Sequence, residues 1–334
     1  MRFIRHRWIY CGVPLIVCLL AAVAGAVVLK SRRFEGGEYV MVSDVAKCYG
    51  LGGDTSREKK TARYRTSFAE WFLEDERREI TLNGVQHWLS APIYGSQDRL
   101  WISATDVLKT IDPILRQGRQ SAPLNVRTIV LDPGHGGHDR GAQGRTGIEK
   151  TLTLDLAKRL QNHLAPTGLR IWITRTSDRF ISLDGRPAYA KQKNADLFVS
   201  IHLNSAGIGS SAQGIETYSL SPAGAVSTSA PFRSWRSAQQ EGSETGNRHD
   251  AQNIWLAHCI QKSLLRATGA PDRGVRRARF AVLCAAPCPA VLVECGFLSN
   301  AAEERKLLEP AYRDRLAKAM ADGILSYRAS VERP

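Results

Sequence analysis

The chain has 334 residues, of which 43% are hydrophobic and 23% charged, so it can form one sizeable core beside a smaller unit. This balance excludes a disordered chain. The formal net charge is +14, and most of the excess lies in residues 117–334, whereas residues 38–116 are close to neutral. A basic surface serves solubility or favours acidic polymers, anionic lipid and nucleic acid. No RNP, zinc-finger or helix-turn-helix pattern is present, so no nucleic acid partner is expected.

Residues 8–29 form an uncharged, mostly apolar run that follows three arginines. As a helix this run would be about 33 Å long, enough to cross a bilayer. We therefore predict an N-terminal hydrophobic helix within residues 1–33. It is either a cleaved signal peptide, since residues 22–26 contain two A-x-A sites, or a membrane anchor through residues 8–29. Both alternatives predict a protein of the periplasm or cell envelope, secreted or anchored to the inner membrane.

The cysteine content does not indicate a dense disulfide framework. Two of the seven cysteines lie in the apolar run, which leaves an odd number for the rest of the chain. Cys284 and Cys288 would form a disulfide in an oxidising compartment or remain buried free thiols, and the sequence leaves both alternatives open. No cysteine pair has zinc-finger spacing.

Residues 38–116 are predicted to form a small accessory α+β module. The segment 79–89 alternates like a strand–turn–strand unit with Asn83-Gly84 at the turn. Residues 100–108 predict a strand that runs into a short helix. The pattern resembles the copper-amine-oxidase N-terminal-like domains found beside wall enzymes, which implies a role in positioning or partner binding. A linker is predicted over 117–126.

Residues 127–328 alternate apolar strands with amphipathic helices, which predicts an α/β layered fold with a mixed sheet. Helices are predicted over 149–164, 252–267 and 311–327. Strands are predicted over 127–131, 170–174, 196–202, 214–220, 280–284 and 290–294. The Ser- and Gly-rich segment 221–250 interrupts this alternation and is too long for an ordinary connection, so we predict that it is a lid or a regulatory insertion.

Four side chains stand where these elements begin or end. His135 follows the first strand in Asp132-Pro-Gly-His135, and Glu149 opens a helix. His202 and Glu294 each end an apolar strand. Each residue alone has a structural explanation, such as a turn, a helix cap or a buried polar group. Together, two imidazoles and one carboxylate can hold a tetrahedral zinc with an open position for water, while a second carboxylate moves protons.

The segment after the first strand is rich in glycine, with six glycines in residues 134–147. Glycine lets a backbone approach a site closely, which fits a loop wrapped around these side chains. A phosphate cradle is the alternative, but no G-x-x-x-x-G-K-[ST] pattern occurs. In addition, Asp139 occupies the third-glycine position of a dinucleotide fingerprint.

Over residues 127–327 the chain resembles the zinc-dependent N-acetylmuramoyl-L-alanine amidases of the amidase-3 type. The resemblance rests on five segments that occur in the family's order: Gly134-His-Gly-Gly-His-Asp-Arg-Gly-Ala, Glu149-Lys150, Thr174-Arg-Thr-Ser-Asp178, Ser200-Ile-His-Leu-Asn204 and Glu294-Cys-Gly-Phe-Leu-Ser-Asn300. It implies a twisted mixed sheet flanked by helices. It also implies one zinc ion held by His135, Glu149 and His202, with Glu294 as the catalytic carboxylate.

The implied activity is hydrolysis of the peptidoglycan amide between N-acetylmuramic acid and L-alanine, for septum cleavage or wall turnover. Asn204 would orient substrate or water, and Asp132 would accept a hydrogen bond from a ligand imidazole. Arg276 and Arg279 belong to an arginine cluster that either contacts carboxylates of the stem peptide or forms a solvated basic face.

Within the insertion 221–250, Glu241 or Glu244 could occupy the open zinc position until an activator protein removes it. Three alternatives to the amidase remain at this stage. They are another zinc peptidoglycan peptidase, a non-catalytic wall or divisome binding protein with a degenerate site, and a basic nucleic-acid binder.

Overall fold

The structure is a computed structural model that describes residues 17–19, 27–29, 31–34, 37–56, 60–67, 69–96, 99–118, 124–207, 209–229 and 242–332. Within the apolar run 8–29 the two described segments, Val17–Leu19 (β1) and Val27–Leu29 (β2), pair as antiparallel strands. The predicted N-terminal helix is therefore not shown: these segments are extended, as their valines favour, and the rest of the run lies outside the described residues. Among the described helices, none has the length and apolar character needed to cross a membrane.

The module at 38–116 is built from two antiparallel units. A four-stranded sheet, in the order β10-β11-β4-β3, packs beside the helix Val42–Cys48. Its strands are Ser31–Phe34 (β3), Gly37–Met41 (β4), Tyr94–Ser96 (β10) and Arg99–Ser103 (β11). The last strand runs directly into helical turns, which confirms the predicted strand-to-helix transition. These turns are Ala104–Asp106, the π-helical Val107–Ile111 and Asp112–Leu115.

The second unit of the module is a five-stranded meander. Its strands are Gly52–Ser56 (β5), Thr61–Arg65 (β6), Glu70–Glu74 (β7), Glu79–Leu82 (β8) and Val85–Trp88 (β9). The predicted turn is confirmed, because Asn83 and Gly84 both have positive φ, 52° and 79°. A tight hairpin needs this backbone conformation at both central residues, and the Asn-Gly pair adopts it readily.

The larger part of the chain is a mixed sheet flanked by helices, as predicted. Its strands follow the order β13-β12-β14-β17-β15-β16, and only the β15–β17 pair is antiparallel. They are Thr128–Pro133 (β12), Arg170–Ile173 (β13), Leu197–Asn204 (β14), Ile215–Leu220 (β15), Asp272–Ala278 (β16) and Ala290–Phe297 (β17).

Helices cover both faces of this sheet. The long helices Glu149–Leu164, Asp250–Thr268 and Pro310–Val331 pack on one face in the main core. The short helices Gly185–Gln192 and Ala281–Cys284 pack on the other face in a second apolar cluster. The remaining helical segments are Ala165–Thr167, Thr245–His249 and Ala301–Leu308. Cys284 and Cys288 are both free thiols.

One predicted strand is wrong. Residues 280–284 were expected to be extended, but the strand is Asp272–Ala278 and a helical turn follows it. Three arginines, at 273, 276 and 277, obscure the strand in the sequence, because charged side chains rarely mark a buried strand. In the fold Arg277 is fully buried, with Nη1 donating to the Leu220 carbonyl and Nη2 to the Thr110 hydroxyl.

The meander of the module continues the larger sheet. Val275 of β16 forms a parallel bridge with His87 of β9, so that eleven strands share one sheet. Side chains support this junction: Lys109 forms an ion pair with Asp250, with 3.1 Å between Nζ and Oδ2. The module therefore contacts the edge of the larger sheet directly.

Candidate active site

Three of the predicted site residues come together at the carboxyl ends of the central strands. His135 follows β12, Glu149 is the first residue of its helix, and His202 lies in β14. Each offers one ligand atom, and these atoms lie within 4.8 Å of one another. His135 has a φ of 62°, a left-handed conformation that is uncommon for a residue other than glycine.

Glu149 lies between the two imidazoles. Its Oε2 is 3.1 Å from Nε2 of His135, and its Oε1 is 2.9 Å from Nδ1 of His202. The backbone N–H groups of Ala142 and Leu203 also donate to this carboxylate. Burial alone would raise the pKa of Glu149, but the hydrogen bonds from the imidazoles outweigh it and hold the pKa well below its ordinary value. Glu149 is therefore an ionised, fixed acceptor.

Two glycines make room for this arrangement, as their number in residues 134–147 predicted. A Cβ atom on Gly134 would lie 2.3 Å from the ring of His202. A Cβ atom on Gly141, whose φ is +67°, would lie 2.5 Å from Oε2 of Glu149. Both distances are far below van der Waals contact, so the loop can pass this close only without side chains.

The acid that supports His135 is Asp139, not Asp132 as predicted. Oδ2 of Asp139 lies 2.9 Å from Nδ1 of His135. Burial lowers the pKa of His135, but Glu149 and Asp139 together raise it above its ordinary value. The ring of His135 thus faces the loop that follows it in the chain.

Asp132 is buried and has a different set of partners. Its carboxylate accepts from Nη1 of Arg186 at 2.8 Å, from the Thr174 hydroxyl at 2.7 Å and from the Ser200 hydroxyl at 2.9 Å. Arg186 also donates to the backbone carbonyl of His135. Asp132 thus fixes the loop that carries His135 through Arg186, without contacting an imidazole.

Glu294 lies opposite His202 in the parallel pair of β14 and β17. Part of its side chain reaches the cleft, but its Oε2 is buried and has no hydrogen-bond partner among the described residues. Burial, together with the nearby Glu149 and Glu216, raises the pKa of Glu294 well above its ordinary value. An unpaired buried carboxylate is costly, so this oxygen is a sign of a missing partner, such as a cation or water.

The donor set fits a zinc ion. Two imidazoles and a carboxylate with one open position are the ligand set of hydrolytic zinc sites. The unpaired oxygen of Glu294 beside them is where a proton-accepting group would be needed. Asp139, bonded to the second nitrogen of His135, supplies the outer contact that orients a metal-binding imidazole.

The other residues that were predicted to bind substrate lie in two separate places. Asn204 donates its amide to Oε1 of Glu216 at 2.6 Å, and Nε of Arg276 lies 3.0 Å from Oε2 of Glu216. Arg279 instead donates to the backbone carbonyls of Pro222 and Gly242, at the two ends of the insertion. Arg279 therefore holds the insertion and is placed apart from the Glu216 cluster.

Sequence reasoning missed Glu216, which is buried beside Glu294 as its partner in the antiparallel β15–β17 pair. The only signal was a charged residue inside an otherwise uncharged strand. Glu244 of the insertion caps the turn Thr245–His249 and lies 3.8 Å from Arg279. It does not belong to the three-residue cluster, and Glu241 lies outside the described residues.

A mixed sheet with a His–Glu–His cluster at its strand ends and a partly buried glutamate beside it is an arrangement that suits a metal-dependent hydrolase. The comparison with protein families identifies the family. The model of the N-acetylmuramoyl-L-alanine amidase family, Amidase_3, matches residues 129–326. The chain belongs to this family. The resemblance of residues 38–116 to the copper-amine-oxidase N-terminal-like domains stays a prediction.

Individual relatives agree. The chain is 37% identical to the N-acetylmuramoyl-L-alanine amidase LytC of Bacillus subtilis over 61% of its own length and 36% of that protein's length. It is 30% identical to the probable cell wall amidase LytH of Staphylococcus aureus over 73% of its length and 72% of that protein's. The crystal structure of an N-acetylmuramoyl-L-alanine amidase from Clostridium difficile 630 superposes with a TM-score of 0.50 at 33% identity, covering 61% of this chain and 97% of that one. The chain thus spans about a third of LytC.

Proposed function

We propose that this protein is a zinc-dependent N-acetylmuramoyl-L-alanine amidase that cleaves the amide between N-acetylmuramic acid and L-alanine in peptidoglycan. The observation that carries the proposal is the cluster of His135, Glu149 and His202 beside the unpaired, buried oxygen of Glu294. Membership in the amidase family supports the substrate. Septum cleavage or wall turnover is the role that we infer.

In this mechanism His135, Glu149 and His202 would hold one zinc ion. A bound zinc ion would lower the pKa of water and polarise the amide carbonyl. Glu294 accepts the proton of the attacking water and delivers it to the departing amine of L-alanine. Its burial suits this exchange, because a carboxyl group whose pKa is raised holds a proton more readily and can then release it to a leaving amine.

Other residues and segments have secondary roles in the proposal. Asn204 orients substrate, and Arg276 contacts the stem peptide. Residues 127–328 form the catalytic domain, 38–116 an accessory module, and the insertion 221–250 is the surface on which an activator protein would act. A cell-envelope location follows from the substrate, with residues 8–29 as signal or anchor.

The test is product analysis. The full-length chain, purified with zinc, is incubated with sacculi beside its Glu294→Gln variant, and released material is identified by mass spectrometry. We expect whole stem peptides with a free L-alanine amine from the parent and none from the variant. Fragments cut inside the stem peptide would show a peptidase instead. No release from a parent that contains one zinc per chain would contradict the proposed activity.

A further inference from the structure

Polar side chains form a row across one face of the sheet, from the metal-binding cluster to the accessory module. His202 pairs with Glu294, and Glu294 pairs with Glu216 on the next strand. One strand further, β16 carries Arg273 and Arg276 at the same end of the sheet. Since paired positions on neighbouring strands point to the same face, the candidate active site continues sideways along the sheet.

Glu216 lies in the middle of this row, and both of its carboxylate oxygens contact neighbouring side chains. Its Oε2 lies 3.1 Å from Nε of Arg273 and 3.0 Å from Nε of Arg276. Its Oε1 accepts from the Asn204 amide at 2.6 Å and from the Tyr218 hydroxyl at 2.9 Å. One buried carboxylate therefore fixes two guanidinium groups and the predicted substrate-binding asparagine.

The two arginines provide more charge than Glu216 needs. Nε of each arginine makes its closest approach to Glu216, and Nε of Arg276 also donates to the Arg273 carbonyl. Within the described part of the chain the terminal Nη groups of both make no hydrogen bond. The two guanidinium groups carry two positive charges against the single charge of Glu216, and Glu303 is the other acid close to Arg273. The side chain of Arg273 is 33% exposed, and that of Arg276 is 13% exposed. Such forked donors suit a planar carboxylate.

The accessory module helps to fix both arginines. The guanidinium of Arg276 lies over the ring of Trp88, 4.2 Å from its centroid, and Nε1 of Trp88 donates to the backbone carbonyl of Arg273 at 3.0 Å. Arg273 in turn lies over Phe297, at 4.7 Å. Stacking on an aromatic face restricts a guanidinium in a plane and leaves its edge free to bind an anion.

We propose that Arg273 and Arg276 form a subsite for a carboxylate of the stem peptide, and that Glu216 and the accessory-module residue Trp88 hold the two guanidinium groups in place. The inference rests on the proposed amidase activity and adds the feature of the substrate that is recognised. It also gives the module a role in substrate selection.

The spacing within the sheet fixes where the carboxylate lies. The strand of Arg276 is two strands from that of Glu294, which is about 10 Å at the usual spacing between strands. An extended peptide covers this distance in about three residues. The bound carboxylate is therefore expected on the second or third residue of the stem peptide, on the peptide side of the cleaved bond.

The experiment uses two synthetic N-acetylmuramoyl tripeptides. One carries free carboxylates, and the other carries carboxamides in place of every carboxylate beyond the first residue. We expect the full-length enzyme with zinc to show a kcat/KM about 10 to 100 times higher for the acidic substrate, as for a lost charge-assisted bidentate contact. Equal values for the two substrates would overturn the subsite.

Variants separate this role from a structural one. Arg276→Gln and Arg273→Gln should each reduce the preference to within about threefold by lowering kcat/KM for the acidic substrate alone. Trp88→Leu should reduce it partly, since it removes the aromatic face and the N–H donor. Arg266→Gln, at an exposed position on the helix Asp250–Thr268, should leave the preference unchanged. A uniform loss on both substrates in the Arg273, Arg276 and Trp88 variants would show that these residues only maintain the fold.

The subsite can also be tested without turnover. Calorimetric binding of both tripeptides to the Glu294→Gln variant should show the same preference for the acidic one. If this preference is present but the parent hydrolyses neither substrate, the proposed activity fails while the subsite stands. If the parent hydrolyses both equally and the variant binds both equally, the subsite fails while the activity stands.

Discussion

Two histidine pairs in the described part of the chain have nearly the same separation and opposite surroundings. The rings of His135 and His202 are 5.0 Å apart, nearly perpendicular and partly exposed. The rings of His87 and His258 are 5.2 Å apart, stacked and fully buried, where the module meets the larger sheet. The first pair meets at Glu149, whereas in the second pair the two rings bond to each other, with 3.0 Å between Nε2 of His87 and Nδ1 of His258.

The difference shows that a carboxylate, and not the proximity of two imidazoles, defines a metal site. Glu149 and Asp139 raise the pKa of His135 above its ordinary value. Burial, His258 and Arg277 hold the pKa of His87 well below its ordinary value, and burial with the nearby Lys262 lowers the pKa of His258 to about 3. The buried pair is therefore neutral, and we interpret it as part of the junction between the module and the sheet.

Replacing one histidine of each pair should give the largest contrast. We expect His202→Gln to lose bound zinc and to lower kcat/KM more than about 100-fold, because changing even an outer contact of a metal ligand costs 10–100-fold. His258→Gln should keep zinc and activity but unfold at a lower temperature. Metal content by mass spectrometry and amidase assays measure both. His163→Gln, at a partly exposed position, is the control. Zinc retained by His202→Gln would contradict the ligand assignment.

The four principal site residues could be identified from the sequence because each stands in a distinctive segment at the end of a strand or the start of a helix. Glu216 could not, because its partners Arg273 and Arg276 lie 57 and 60 positions later in the chain. The strand that carries these arginines was also missed. Its charged side chains are buried by pairing and stacking, which no local pattern reveals.

The acid that supports a ligand imidazole was predicted to be Asp132, whereas Asp139 contacts His135. Asp132 lies three residues before His135 and Asp139 four residues after it, and the sequence does not tell which of them the ring faces. The docking of the module was not predicted either. It rests on the strand bridge between Val275 and His87 and on side-chain contacts such as the buried pair His87–His258 and the ion pair of Lys109 with Asp250, and all of these depend on the assembled fold.

Two substitutions test which aspartate supports a ligand imidazole, and we expect effects of intermediate size. Asp139→Asn should weaken zinc binding by about 10–100-fold with little change in stability, because it supports a ligand imidazole. Asp132→Asn should lower the free energy of unfolding by about 3–5 kcal/mol, because it breaks the buried pair with Arg186. Zinc titration and urea unfolding measure the two effects. If Asp132→Asn weakened zinc binding and Asp139→Asn lowered stability instead, Asp132 would be the supporting acid.

The buried pair predicts a smaller, pH-dependent effect. Since the pKa values of His87 and His258 are lowered on folding, the unfolded chain takes up protons first, and stability falls as the pH drops below the unfolded value of about 6.5. Each histidine contributes at most about 1.4 kcal/mol per pH unit in this window. Urea unfolding at pH 7 and pH 5 should show a weaker pH dependence for His258→Gln than for the parent. An identical pH dependence would show that the pair does not titrate on unfolding.

The smallest effect is expected for Glu244, which was predicted, as an alternative to Glu241, to occupy the open zinc position. Glu244 accepts a backbone N–H at the start of the turn Thr245–His249 and lies near Arg279, so it is occupied in holding the insertion. Glu244→Ala should therefore cost about 1 kcal/mol of stability, as for the loss of a cap. Amidase activity should change by less than about twofold, because a lost cap does not alter the zinc ligands. Glu304→Ala, which removes a carboxylate that accepts from Thr146 and Gly147, serves as a matched loss of a structural acid. A marked rise in activity for Glu244→Ala alone would instead show that the insertion inhibits the site.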